Sequence, residues 1–475
     1  MNRSSDPLVN DLTALDAAFA RIRAATRREI CPGLAARQRR LAALEAMLRE
    51  QQAGFAAAID ADFGHRAHHE TGLLELFPSL EGIRHARRHV RQWMRPRRRS
   101  VSLWFQPGRA EVRPLPLGCV GIVVPWNYPL YLAVGPLVAA FAAGNRALVK
   151  MSECTPATSR FFAQVAGRYF ASDELAVVEG DAAVAQAFVR LPFDHLLFTG
   201  STAVGHQVMA AAAGNLTPVT LELGGKSPVL VSPEYPIAKA ATRIMAGKCL
   251  NAGQTCIAPD YVLLPAAQTT EFIAACRRFV AAAYPDLARS PDYTTIINDR
   301  HFTRLSAYLD ETTRLGGEVV TLADCPPDPT RRLLPPVLVI NATAAMAVMR
   351  EEIFGPILPV IPYATLDEAL AFINDRPRPL AFYLFDHDRK RVRDLLGRTL
   401  AGGVTVNDTI LHIAQDDLPF GGVGASGLGH YHGHDGFLTL SKLMPVFHQS
   451  RINGMGLFAP PYGRLFERLL KVLLR

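Results

Sequence analysis

Four short runs in this 475-residue chain carry groups that can do chemistry. Asn251-Ala252-Gly253-Gln254-Thr255-Cys256 sets a cysteine in a polar, glycine-bearing loop. Reactive cysteines sit in such partly open surroundings, whereas structural ones lie inert in apolar stripes. Cys256 therefore reads as a candidate nucleophile, and Cys249, beside Leu250 in a predicted helix, reads as core. Leu221-Glu222-Leu223-Gly224-Gly225-Lys226 brings a carboxylate to the end of a predicted strand. Side chains alternate along a strand, so Leu221 and Leu223 share one face and Glu222 takes the other. The glycines allow a tight turn with close backbone approach. Periodicity leaves two readings of Glu222 open: a carboxylate in a site at the strand's carboxyl end, or an exposed glutamate on an edge strand.

Pro125-Trp126-Asn127-Tyr128-Pro129 is fenced by two prolines after a predicted buried strand. Asn127 there either offers a side-chain N–H to a developing oxyanion or simply fills a turn. Gly200-Ser201-Thr202-Ala203-Val204-Gly205 fits only half of a phosphate loop, because His206-Gln207 stand where Lys-Ser/Thr would be needed. A cofactor pyrophosphate at that helix start remains reasonable, since free N–H groups point out there.

The surrounding pattern says what positions these runs. Residues 12–60 read as helices, with apolar residues three and four apart as in Leu41, Leu44, Met47 and Leu48. Strands are expected at 121–124, 146–150, 175–179, 195–199 and 219–223. Helices are expected between them at 156–169, 181–189 and 202–213, the first opened by Thr155 as N-cap and Pro156. This alternation implies a parallel α/β sheet covered on both faces, with ligands at the strands' carboxyl ends. A second alternating region spans about 226–414, and 416–440 is glycine-rich with few helix signals.

Composition narrows the classes. Hydrophobic residues are 49% and charged residues 20%, ordinary for a globular enzyme. Cysteines 31, 119, 154, 249, 256, 276 and 325 show no CxxC, which argues against a disulfide framework or a zinc site. The first twenty residues, with Asp6, Asp11 and Asp16, lack a signal peptide's apolar core, and the apolar stretch 130–143 is too short to span a bilayer. A cytoplasmic protein is expected. The net charge of +8 equals the eight arginines of 84–99, a window without acids. It reads as a solvated helix face running into a surface loop at Pro96, rather than a nucleic-acid or membrane contact. No nucleic-acid partner is expected.

The runs together resemble the aldehyde dehydrogenase superfamily over nearly the whole chain. The matching pieces are PWNYP at 125–129, LVKMSE at 148–153, FTGSTAVG at 198–205 and LELGGKSP at 221–228. NAGQTC at 251–256, EEIFGP at 351–356 and LPFGGVGASGLG at 418–429 complete the set, in the family's order. Met151 departs from the proline usual before Ser-Glu. The resemblance implies a Rossmann-type cofactor domain, an α/β catalytic domain and a small β bridging segment. On that basis 1–94 and 117–222 would form the dinucleotide-binding domain and 223–416 the catalytic domain. Residues 95–116 and 417–447 would bridge, and 448–475 would be a tail.

The resemblance also assigns roles. Cys256 would be the nucleophile, Glu222 the general base, and Asn127 the oxyanion donor with the backbone N–H of Cys256. Lys150 and Glu153 would hold the adenosine ribose of NAD, with NADP also possible. Gly200, Ser201 and Gly205 would form the pyrophosphate site. Trp126, Leu223, Glu352 and Phe354 would contact the nicotinamide end. Relatives that pass the acyl group to coenzyme A generally lack the glutamate at the position of Glu222, so its presence implies hydrolysis to the free acid. No metal is expected; His430, His432 and His434 fall in the family's bridging segment.

Within the family the chain looks like the class 3 branch. Residues 102–110 and 407–422 resemble bacterial enzymes acting on coniferyl aldehyde, with Trp126, Tyr128, Tyr131 and Leu132 as apolar neighbours of Asn127. Long-chain aliphatic aldehydes are the alternative substrates. From a different class, a cofactor-free cysteine hydrolase or a basic binding module built on 84–99 would leave the dinucleotide-like runs or the intact Cys256, Glu222 and Asn127 without use. A homodimer is expected. The tail stripe of Arg464, Glu467, Arg468, Lys471 and Arg475, with leucines elsewhere, suits packing on the body, a second subunit or a membrane surface.

Overall fold

A computed structural model describes residues 8–9 and 11–474. Asp6 and Arg475 lie outside the described residues. The strands in chain order are β1 (Leu8–Val9), β2 (Arg97–Arg99), β3 (Arg109–Pro116), β4 (Cys119–Val123), β5 (Arg146–Lys150), β6 (Leu175–Val178), β7 (His195–Gly200) and β8 (Val219–Leu223). Then follow β9 (Pro228–Val231), β10 (Tyr261–Pro265), β11 (Glu318–Thr321), β12 (Val337–Ile340), β13 (Ile357–Tyr363), β14 (Ala381–Phe385), β15 (Gly403–Val406), β16 (Gly427–Leu428) and β17 (Ser441–His448).

They build three sheets. The first runs β1-β6-β5-β4-β7-β8-β16, parallel except for β16. Its order reverses between β4 and β7, and doubly wound sheets bind ligands at such a switch point, beyond the carboxyl ends of the strands. Asn127 follows β4 and Ser201 follows β7, so both sit at that crevice. The second sheet runs β11-β12-β13-β10-β9-β14-β15, with only β11 antiparallel. The third, β17-β3-β2, is antiparallel. Buried apolar residues fill β4 to β6, β9, β10 and β12 to β14 almost without alternation, as expected of strands covered on both faces, whereas the edge strand β11 is largely exposed.

Local departures from expectation have physical causes. Arg97–Arg99 is not a loop: it pairs with β3 as an exposed edge strand, Arg97 opposite Val112. Upstream, Arg84 and Arg87 are drawn to Glu45, so part of the basic window is bound up in helix packing. Thr155 occupies the N-cap position but its hydroxyl donates to Ser152 O at 3.4 Å. Asp62 caps that helix instead, accepting the N–H groups of Ala157 and Thr158 at 2.8 Å each. The glycine-rich stretch contains a helix, Gly433–Thr439, packed under the helix Tyr131–Ala143, where Gly436 stands beside Ala139. The tail helix Arg464–Leu473 has no buried residue, and its Phe466 ring packs against the tail rings of Phe458 and Tyr462.

Among the described residues, no helix is long and apolar enough to cross a membrane.

Candidate active site

The loop bearing Cys256 begins where the helix Ile237–Cys249 stops. Asn251 (φ 52°), Ala252 (φ 49°) and Gly253 (φ 72°) are all left-handed. For the two non-glycine residues that costs about 1 kcal/mol or more each, and it persists only where neighbours over-determine the turn. They do: both carboxylate oxygens of Glu70 accept Asn251 N at 3.1 Å. Asn251 Nδ2 donates to the carbonyls of Asn127 and Gln254, each at 3.1 Å. Gln254 is itself tied to Thr295 O and Ile297 N. Tyr128 and Thr255 share a 2.7 Å hydroxyl contact, which fixes the residue next to Cys256.

Glu222 alternates as β8 requires. Leu221 and Leu223 pack into the core with Leu196 and Phe198, and Glu222 faces the opposite side. The strand is not an exposed edge, because β16 covers it with Gly427 opposite Glu222. Both Glu222 carboxylate oxygens are buried and have no protein partner. Burial pushes this carboxyl well above its usual range. Burial, helped by Glu352 and Glu222, likewise pushes the Cys256 thiol up to about 12, while the N–H groups of Cys256 and Ile257 pull the other way. Asn127 Nδ2 spends one hydrogen on Gln254 O at 3.2 Å and keeps a second for another acceptor.

Glu352 and Phe354 reach the same place from a braced loop. Lys226 Nζ donates to Val348 O and Glu351 O at 2.8 and 2.9 Å and pairs with Asp260. Asp260 accepts Ile353 N at 2.9 Å, and Arg304 Nη2 donates to Ile353 O at 2.9 Å. Phe354, held at φ 50°, meets Trp126 edge-on at 5.3 Å. Burial, then Asp260, raises the Glu352 carboxyl to about 8.

A cavity of about 230 Å³ joins Trp126, Asn127, Gly200, Ser201, Glu222, Cys256, Glu352 and Phe354. Four other expected site residues lie outside its lining. Lys150 is buried, with Nζ on Met151 O and Gly180 O at 2.7 and 2.9 Å. Glu153 is exposed in the turn after β5. Gly205 packs its helix on β8, where a Cβ would come within 2.6 Å of Leu223 Cδ2, and Leu223 itself is core. Thr199, inside the run at 198–205 but given no role there, also lines the cavity, as do His301 and Arg304, which no local motif marks. Of the apolar neighbours of Asn127, only Trp126 lines this cavity; Tyr128, Tyr131 and Leu132 are packed in the core of the first sheet's helices.

The cavity suits a dinucleotide's nicotinamide end. Its walls are an indole and a phenyl ring, and buried oxygens of Thr199, Glu222 and Glu352 await partners. Ser201 Oγ caps the helix Thr202–Ala213 through Val204 N, leaving the helix start open toward the cavity. The three histidines of 430–434 are separated in use. His432 lies against Phe420 and Tyr431 and meets Tyr131 OH at 3.2 Å, while His434 stacks on Phe437.

Comparison with known proteins places these features. Residues 11–446 match the model of the aldehyde dehydrogenase family. A probable coniferyl aldehyde dehydrogenase of Pseudomonas aeruginosa is 52% identical, over 97% of this chain and 96% of its own length. A coniferyl aldehyde dehydrogenase of a Pseudomonas species is 47% identical over 90% of each chain. The substrate-bound structure of AldH from Staphylococcus aureus superposes with a TM-score of 0.92 at 35% identity, covering 97% of this chain and 99% of that one.

Proposed function

The chain belongs to the aldehyde dehydrogenase family and oxidises an aldehyde to its acid with NAD(P), and we propose that Cys256, Glu222 and Asn127 carry the chemistry on aromatic aldehydes of the coniferyl type. The convergence of Cys256, Glu222 and Asn127 on one cavity is the observation that supports this reading. The Cys256 thiol gives its proton to water, and its sulfur adds to the aldehyde carbon. The oxyanion so formed is met by the free Asn127 N–H and the Cys256 backbone N–H. The C–H bond breaks with its electron pair, leaving a thioester on Cys256. Glu222 takes a proton from water, the water oxygen adds to the thioester carbon, and the C–S bond breaks to release the acid. A cofactor-free hydrolase would leave the cavity's indole and phenyl walls without a role.

When bound, the nicotinamide supplies the hydride acceptor. Trp126, Leu223, Glu352 and Phe354 would hold that end, Gly200, Ser201 and Gly205 the pyrophosphate, and Lys150 and Glu153 the adenosine ribose. NAD is the preferred form, because a carboxylate on the ribose hydroxyls repels a 2′-phosphate. We divide the chain accordingly, with 1–94 and 117–222 binding the dinucleotide, 223–416 carrying Cys256, 95–116 and 417–447 bridging, and 448–475 as a tail. We place it in the cytoplasm as a homodimer, a reading supported by the exposed Leu443, Met444 and Phe447 on edge strand β17.

The coniferyl assignment is supported by the two Pseudomonas relatives. A flat apolar substrate also gains about 25 cal/mol per Å² of buried area, which acetaldehyde cannot match. Comparing kcat/KM for coniferyl aldehyde, benzaldehyde, octanal and acetaldehyde tests it, with Cys256→Ser as the inactive, cofactor-binding control. Coniferyl aldehyde should lead. Octanal ahead by about tenfold, or about 1.4 kcal/mol, would refute the substrate and leave the dehydrogenase intact.

A further inference from the structure

Asn127 and Cys256 approach the cavity from different sheets, and one buried side chain touches the supports of both. Arg66 is fully buried between the helices Gln52–Phe63 and His68–Thr71. Its Nη1 donates to the backbone oxygen of Asn127 at 3.1 Å. Its Nε stands 3.8 Å from Glu70 Oε2, and its Nη2 stands 3.6 Å from Glu75 Oε1. Glu70 is the carboxylate that grips Asn251 N, and it also accepts the Thr294 hydroxyl at 2.7 Å. Glu75 accepts Leu130 N at 2.8 Å and Tyr131 N at 3.2 Å, just after Asn127. The guanidinium lies over Phe63 and Tyr128, at 4.9 and 5.0 Å from the ring centres.

We propose that Arg66 is a positioning residue for the acylation step, joining the Asn127 carbonyl to the Glu70 carboxylate so that the oxyanion donor and the nucleophile's turn keep one register. The proposal rests on the roles given above to Asn127 and Cys256. A buried ion pair is a weak source of stability, and well-packed apolar groups often replace one without loss. Here the pair has another use. The left-handed Asn251-Ala252 turn survives because Glu70 holds it, and Arg66 is the cation facing Glu70. Burial pushes the Glu70 carboxyl up and Arg66 pulls it back down. Without the guanidinium, the foremost pull against burial at Glu70 would be gone and the Asn127 carbonyl would lose a donor. Displacements near 1 Å at reacting groups cost about 100-fold in rate.

Arg66→Met and Arg66→Lys test this, the second keeping the charge but not the planar fork. The first-turnover burst of reduced cofactor should slow about 100-fold in Arg66→Met and about 10-fold in Arg66→Lys. KM for NAD should stay within about twofold, and alkylation of Cys256 by iodoacetamide, which builds no oxyanion, within about threefold. A burst within about twofold of the parent in both variants overturns the proposal. So does a parallel fall in burst, alkylation, NAD binding and thermal midpoint, which would make Arg66 a fold-holding residue only. If Arg66→Met does not fold, the burst-to-alkylation ratio of Arg66→Lys decides alone. Asn127→Ala is run alongside: a full burst there refutes the catalytic reading itself, whatever Arg66 does.

Discussion

Gly224 and Glu352 compete for one space: a Cβ built on the glycine would overlap the glutamate's carboxylate. The glycine after β8 is thus a requirement of the loop that carries Phe354 into the cavity. Gly224→Ala should push Glu352 aside while leaving the packed sheets unchanged. We expect KM for NAD to rise about tenfold, about 1.4 kcal/mol of lost binding, with little change in thermal midpoint. Isothermal titration with NAD and a melting curve check this; unaltered NAD affinity would show that Glu352 does not contact the cofactor.

Glu222→Gln should let one hydride leave and then stall. The amide cannot take a proton from water at neutral pH. Stopped-flow absorbance should show a single burst of reduced cofactor, and intact mass should show the acyl group retained on Cys256. Steady turnover at the parent rate would remove Glu222 from the hydrolytic step; a missing burst would move it to thiol activation.

Glu352 makes folding pH-dependent in a predictable sense. It keeps its proton in the folded chain up to about pH 8, whereas an unfolded glutamate loses it near 4.5. Between those values the folded state binds more protons than the unfolded one, so this group's stabilising contribution falls as pH rises. Glu352→Gln removes that titration. The variant's thermal midpoint relative to the parent should climb through this window and level off above it. A difference independent of pH would contradict the protonated, buried carboxyl.

Glu153 is exposed in the turn after β5, free to meet a ribose. Glu153→Gln should move the ratio of kcat/KM for NAD over NADP about tenfold toward NADP, by removing repulsion of the 2′-phosphate. Paired assays with both cofactors measure it. An unmoved ratio would mean that Glu153 points away from the ribose.

Much of the scaffold was legible because its signals are local. The helix at 202–213 and the strand at 219–223 are where periodicity and turn residues put them. The order of the runs around Asn127, Glu222 and Cys256 sufficed to recognise the family. Sequence could not say whether Glu222 was exposed, since that depends on β16, a strand more than two hundred residues away that covers β8. Nor could it show that Asp62 rather than Thr155 caps the helix at 156, because the winning carboxylate comes from a distant helix. Arg66 had no sequence signal at all. A buried charge acquires meaning from its partners, and Glu70 reaches Asn251 across 181 residues of chain. Backbone preferences and side-chain periods are properties of a few neighbouring residues and can be read in order. The pairing of buried charges, and the strain they hold in the turn before Cys256, exist only once the two sheets and their helices are packed together.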